Sequence, residues 1–291
     1  MKPLRAAVLL TVFLLVTLVL MPVQALNVAL RLPFARTLPY AYHRFLCALF
    51  GIRIERHGVP LANGPLLIAA NHSSWLDIIV MSALAPLSFV AKSEVATWPF
   101  FSLLAKLQRT VFVRRDRRSD AGRQRNAIAE RLKNGERLVL FPEGTSSDGN
   151  RVLPFNSALF GAAEPSIAGA AVPVQPIAVT YARLLGLPIG RRQRHKFAWY
   201  GDMELVPHLW NALGEGPIDV VVYIHEPVTL EALGSRKALA RHCERAVGQA
   251  VALSLAGRPD EAEAFGRPPA IAALQQPQAV PAESVPSASH P

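Results

Sequence analysis

PLLIAANHSSWLDIIVMSAL, residues 65–84, decides the fold class. Pro65 to Ala70 is a short apolar run and reads as a buried strand. His72 to Leu84 reads as a helix. A strand that turns at once into a helix is the opening of an α/β layer. The same alternation continues downstream. Leu87–Ala91, Thr110–Arg114, Arg137–Phe141, Val174–Thr180 and Ile218–Ile224 are further strand candidates. Between them lie helical stretches. Val95–Leu107 is interrupted by Pro99, and a helix capped by Ser119 runs to about Asn134, where Gly135 closes it. A last helical region spans Thr229 to about Leu255, with a break near Gly234. The expected class is therefore α/β, a layered domain with a mainly parallel or mixed sheet.

Upstream, Lys2 and Arg5 precede an uncharged apolar stretch from Ala6 to Val23. At about 1.5 Å per residue this nearly matches the ~30 Å hydrocarbon core of a bilayer. Pro22 is expected to end or kink the helix. Val23-Gln24-Ala25 offers the rival reading of a cleaved signal peptide. Leu26 to Phe50 stays apolar but carries Arg31, Arg36, His43 and Arg44, a pattern suited to a helix in the membrane interface. The basic excess behind the apolar stretch predicts that the body of the chain faces the cytoplasm from the inner membrane. From Arg258 on, Pro, Ala, Gln, Ser and Glu dominate, and little is left to bury. The expected organisation is a membrane anchor over 1–26, an interfacial helix and lead-in over 27–60, the α/β domain over 61–257 and a disordered tail over 258–291.

Hydrophobic residues make up 51% of the 291, and the net charge is +10. Such a balance fits an anionic partner, either nucleic acid or an anionic membrane surface. The apolar N-terminus favours membrane, and no nucleic-acid-binding motif is present. Cys47 and Cys243 form no CxxC pair, which argues against a disulfide framework or zinc site. His208, His225 and His242 show no ligand spacing, so no metal is expected.

Two constellations carry chemistry. In the first, Asn71 to Asp77, a histidine stands at the mouth of a strand with a carboxylate five residues on. Imidazole suits proton removal from an alcohol because its pKa lies near working pH. A nearby carboxylate fixes its tautomer and stabilises the imidazolium. Five residues along an ideal helix is about 140° of rotation. The two side chains therefore meet only if His72 lies in the turn before the helix. The plainer alternative is a serine-capped helix with an incidental histidine. The second constellation is Phe141-Pro142-Glu143-Gly144-Thr145, again behind a strand. Its glycine lets backbone approach a ligand, though an ordinary turn before Asp148-Gly149 reads equally well.

Together, NHSSWLD and FPEGT resemble motifs I and III of the glycerolipid acyltransferases, the family of 1-acylglycerol-3-phosphate acyltransferase. Val111–Arg115 and Val172–Ile177 fall where the family has its second and fourth motifs. The resemblance implies a membrane-bound O-acyltransferase. His72 would be the general base and Asp77 its orienting partner. Arg115, with Arg114 as the competing choice, would bind the acceptor's anionic head. Glu143, Gly144 and Thr145 would line the acceptor's polar site, and Pro173 the acyl-donor side. No cofactor is implied beyond the co-substrate, a thioester on acyl carrier protein or coenzyme A. The resemblance implies no covalent acyl-enzyme, and the sequence agrees in having no GxSxG nucleophile elbow.

The leading acceptor is then 1-acylglycerol-3-phosphate, giving phosphatidic acid. Two positions depart from that pattern. The residue after Glu-Gly-Thr, usually arginine, is Ser146, and the usual Pro-Phe-Lys is Pro154-Phe155-Asn156. Both lost cations suit a phosphate monoester. The stretch from Phe141 to Phe160 is similar to the lyso-ornithine lipid acyltransferase branch, which gives the alternative acceptor. Arg114, Arg115, Arg117, Arg118 and Arg151 remain as possible phosphate contacts. The basic run Arg191, Arg192, Arg194, His195 and Lys196 reads as a surface loop, or as a dock for lipid headgroups or an acidic carrier. A rival of another class is a non-catalytic basic membrane scaffold.

Overall fold

The computed structural model describes residues 2–113, 121–164, 166–167 and 170–266. Helices α1 (Lys2–Ala29) and α2 (Phe34–Phe50) come first, followed by β1 (Ile52–Gly58). Next come β2 (Leu66–Ala70), α3 (Leu76–Ser82), β3 (Ser88–Lys92), α4 (Phe101–Leu107), β4 (Val111–Val113), α5 (Ala121–Lys133) and β5 (Arg137–Leu140). A small hairpin, β6 (Ser166–Ile167) and β7 (Ala170–Ala171), leads into β8 (Pro173–Leu184), which folds back as β9 (Leu187–Pro188). Then follow α6 (Leu205–Glu215), β10 (Ile218–Ile224), β11 (Val228–Thr229), α7 (Leu230–Leu233), α8 (Arg236–Leu255) and α9 (Glu263–Gly266).

The main sheet runs β1-β10-β8-β2-β5-β3-β4. From β8 to β4 all neighbours are parallel, whereas β10 pairs antiparallel with β8 and carries β1 alongside it in parallel. The sheet is therefore mixed and mostly parallel.

Strand periodicity sorts its side chains into two cores. In β2, Leu66, Ile68 and Ala70 face one layer, and Leu67 and Ala69 face the other. All five are completely buried, as expected of a strand covered on both faces. The first layer is built by α1, α2, α3 and α6, through residues such as Phe13, Leu46, Val80 and Leu213. The second is built by α5 and α8, through Leu132, Leu239, Cys243 and Val247.

Four features differ from the sequence reading. First, α1 runs through Pro22 to Ala29, because the helix's packing face outweighs one missing backbone hydrogen bond. Second, the interfacial helix starts at Phe34, after a break at residues 30–33. Third, the lead-in contains β1, a strand of the main sheet. Its charged alternation hid it, since Arg53, Glu55 and Arg56 interrupt any apolar run. Fourth, residues 259–266 form a short 3-10 turn and α9, with Ala262 buried against α8.

Helix α1 is not free of the rest of the chain. Ala6, Leu9, Phe13, Thr17, Gln24 and Asn27 form a buried stripe against α6, α2 and α4. Arg5 donates to the carbonyls of Leu213 and Phe50. Gln24 Nε2 donates to the carbonyls of Ala35 (3.0 Å) and Leu107 (2.9 Å). The opposite side of α1 is apolar and exposed, with Leu4, Leu15, Leu18, Val19 and Leu26 all more than half accessible.

Candidate active site

β2 and β5 are adjacent parallel strands, so the turns that follow them open side by side at the carboxyl edge of the sheet. That edge is where open α/β sheets place their sites. The turn after β2 is fastened by Asn71. Its side chain donates to the carbonyl of Val179 (2.9 Å) and accepts from the Val179 amide (2.8 Å), so it continues the β2–β8 ladder by one rung.

The next residue, His72, lies before α3, and the geometric condition read from the sequence is met. His72 Nδ1 lies 2.8 Å from Asp77 Oδ2. Asp77 is wholly buried, while the His72 side chain keeps 21% of its surface. A buried carboxylate must be satisfied by hydrogen bonds. Asp77 Oδ2 also accepts from the amides of Ser73 (2.8 Å) and Ser74 (2.9 Å). Asp77 Oδ1 accepts from the Tyr181 hydroxyl at 2.6 Å. Burial and the adjacent Asp77 charge hold the Tyr181 phenol well above its ordinary pKa, so it stays a donor.

The imidazole is fixed from three other directions. Phe141 stacks on the ring, 4.2 Å between centroids. The His72 amide donates to Glu143 Oε1 (2.8 Å), and the His72 carbonyl accepts from the Ser147 amide (2.8 Å). The next carbonyl, Ser73, accepts from the Trp199 amide at 2.7 Å. With Nδ1 turned to Asp77, Nε2 is the nitrogen that can take a proton from a bound hydroxyl.

Glu143 was read as an acceptor-binding residue, and its carboxylate turns inward. Oε1 holds the His72 amide and Oε2 the Leu153 amide (2.9 Å), so it joins the two turns. Burial raises its pKa to about 7 against the lowering effect of those amides. Gly144 adopts φ +75°, the left-handed conformation that closes this turn, and Thr145 beside it is exposed. Asn156, at one of the lost cation positions, caps the following 3-10 turn by accepting from the Ala158 amide (3.0 Å). Arg114 and Arg115 lie outside the described residues.

Tyr181, Ser147 and Trp199 were missed by the sequence reading. Tyr181 and Trp199 come from distant segments that no local pattern marks, while Ser147 follows directly on the Glu143 turn. The basic loop 191–196 is a 3-10 turn in which Arg194 donates to Asn150 Oδ1 (2.7 Å) and Lys196 pairs with Glu215 (3.0 Å). Among the described residues no three His, Cys, Asp or Glu side chains cluster as a metal site would require.

A family model described as Acyltransferase matches residues 52–180. The lyso-ornithine lipid O-acyltransferase of Brucella abortus is 50% identical over 245 residues, which are 83% of this chain and 92% of that protein. The protein of the same description from Rhizobium meliloti is 46% identical over 85% of this chain and 86% of its own length. Among solved structures, the 1-acyl-sn-glycerophosphate (LPA) acyltransferase of Thermotoga maritima shares the fold. Its TM-score is 0.61 at 22% identity, covering 87% of this chain and 97% of that one.

Proposed function

Because the chain belongs to the acyltransferase family, we propose that it transfers an acyl group from a thioester to the free hydroxyl of a lyso-ornithine lipid. The observation that carries the acceptor is the loss of two cations beside the site, at Ser146 and Asn156. Asn156 instead spends its side chain on a helix cap. An acceptor without a phosphate monoester has no need of those charges.

In the mechanism we propose, the acceptor hydroxyl donates to His72 Nε2. The imidazole takes the proton as the oxygen attacks the thioester carbonyl. Asp77 holds Nδ1–H and stabilises the imidazolium. The tetrahedral intermediate then collapses, breaking the carbon–sulfur bond. The departing thiolate recovers the proton from Nε2, so His72 ends as it began. Glu143 braces the His72 backbone in this reading, with Gly144 and Thr145 next to it at the mouth. Arg114 or Arg115 would meet the anionic end of the acceptor.

The second reading is acylation of 1-acylglycerol-3-phosphate. Arg151 and Arg194 favour it, since both line a small cavity behind the catalytic turn, beside Ser73 and Ser147. The test is acyl transfer by the purified enzyme and by His72→Ala, with each acceptor in turn. Transfer to lyso-ornithine lipid alone supports our reading, and transfer to the phosphate acceptor replaces it with the second. His72→Ala is expected to lose about 10³-fold or more in kcat with its unfolding curve unchanged. An active His72→Ala enzyme would sink the mechanism.

We further infer that the enzyme sits on a membrane by α1 and α2. The attachments of Arg5 and Gln24 favour a helix lying in the plane of one leaflet. A spanning helix so fastened would draw α6 and α4 into the hydrocarbon with it. A cytoplasmic catalytic domain remains part of this proposal.

A further inference from the structure

The two layers that cover the sheet present opposite surfaces. The α1–α2 layer is apolar on its outside. The α8 layer, on the other face, is basic. Lys237, Arg241 and Arg245 recur at four-residue intervals along α8 and are all exposed. Four-residue spacing sets them in one stripe about 12 Å long. Their neighbour Arg236 is paired with Glu164 (3.1 Å). Lys237, Arg241 and Arg245 have no acidic partner among the described residues.

This arrangement works against the helix itself. Like charges four residues apart repel. Arg236 and Lys237 also stand in the first turn, which holds no acidic residue, where the helix dipole disfavours cations. Beside the stripe is an open cleft of about 590 Å³, lined by Leu233, Ala238, Arg241, His242, Glu244 and Arg245. His242 is 5% exposed, and its Nε2 has no hydrogen-bond partner.

The cleft is linked to the catalytic turn by a single segment. Glu244 Oε2 accepts from the Phe155 amide (2.8 Å), and the Asn156 amide donates to the Pro142 carbonyl (2.9 Å). Two residues earlier, Leu153 holds the Glu143 carboxylate that braces His72. The α8 cleft and the His72 turn thus share one supporting segment.

We propose that the α8 stripe and its cleft dock the acyl donor as a soluble, acidic protein that carries the acyl group as a thioester. This rests on the thioester donor of the preceding reading. Charge complementarity selects an acidic partner. The position of α8, across the sheet from the apolar layer, selects a soluble one over lipid headgroups.

The test compares the full-length enzyme in nanodiscs with a charge-reversal variant, Lys237→Glu, Arg241→Glu, Arg245→Glu, and with the milder glutamine triple. Donors are one acyl chain on acyl carrier protein and the same chain on coenzyme A, with one lysolipid acceptor. Direct binding of the carrier protein is measured alongside by fluorescence anisotropy. The reversal is expected to weaken carrier binding and raise the carrier-thioester KM at least tenfold, with kcat held. Kinetics with the coenzyme A donor and binding to anionic vesicles should not change, and the glutamine triple should fall between. Unchanged carrier binding would overturn the proposal, and so would loss of vesicle binding in its place. Because binding is read without turnover, absence of acyl transfer in the unmodified enzyme would count against the donor reading alone.

Discussion

Asp77 accepts four hydrogen bonds while wholly buried, and each donor reports a different constraint. The two amides come from the turn and the imidazole from His72. The phenol comes from a strand more than a hundred residues away. Tyr181→Phe leaves Asp77 Oδ1 without its donor. An unsatisfied buried acceptor costs about 1–3 kcal/mol. We expect a lower denaturation midpoint and a kcat reduced roughly tenfold or more, with the acceptor KM held. An unaltered kcat would show that Asp77 needs no help from the strand. Glu143 adds a pH signature. Its pKa is raised from the ordinary carboxylate value to about 7, so the folded state binds its proton more tightly than the unfolded chain does. The resulting stability is fully present below about 4.5 and is lost as pH rises through about 7. Urea midpoints between pH 5 and 8 should fall for the native enzyme, by up to roughly 3 kcal/mol in stability. For Glu143→Gln this slope should flatten. Equal slopes would remove Glu143 as the group responsible.

At the scale of elements, the short apolar strands were legible because each is buried on both faces and needs no alternation. β2, β3, β5, β8 and β10 fall close to the segments read from the sequence. The turn between β2 and α3 was legible too, since only a histidine ahead of the helix can reach Asp77. β1 was not. Its partner β10 lies far along the chain, and its charges are satisfied across strands, Arg53 with Asp219 and Glu55 with Arg183. Gly58 ends this strand at φ +82°, and a Cβ there would point onto the carbonyl oxygen of Ile224. Gly58→Ala is therefore expected to lower stability by about 2–4 kcal/mol in chemical unfolding. A loss below about 0.5 kcal/mol would mean the β1 end can shift without consequence.

For the whole molecule, the sheet separates an apolar layer from a basic one, and the membrane placement proposed above rests on this sidedness. Spin labels at Val8 and Leu26, placed singly as cysteines, should report similar depths in vesicles if α1 lies in the plane of the leaflet. Depths at opposite interfaces would restore a spanning helix. Sequence by itself determined the fold class, the meeting of His72 with Asp77 and the long apolar helix at the start of the chain, because these rest on local facts. Apolar runs, a five-residue spacing and an uncharged stretch of helix length are all written in consecutive residues. Only the tertiary structure decided what holds Asp77, which way Glu143 faces, how α1 is fastened and how the exposed cations of α8 line up. Those are contacts between segments brought together by the sheet. A hydrogen bond or a charge pattern between distant segments leaves no periodicity along the chain to read.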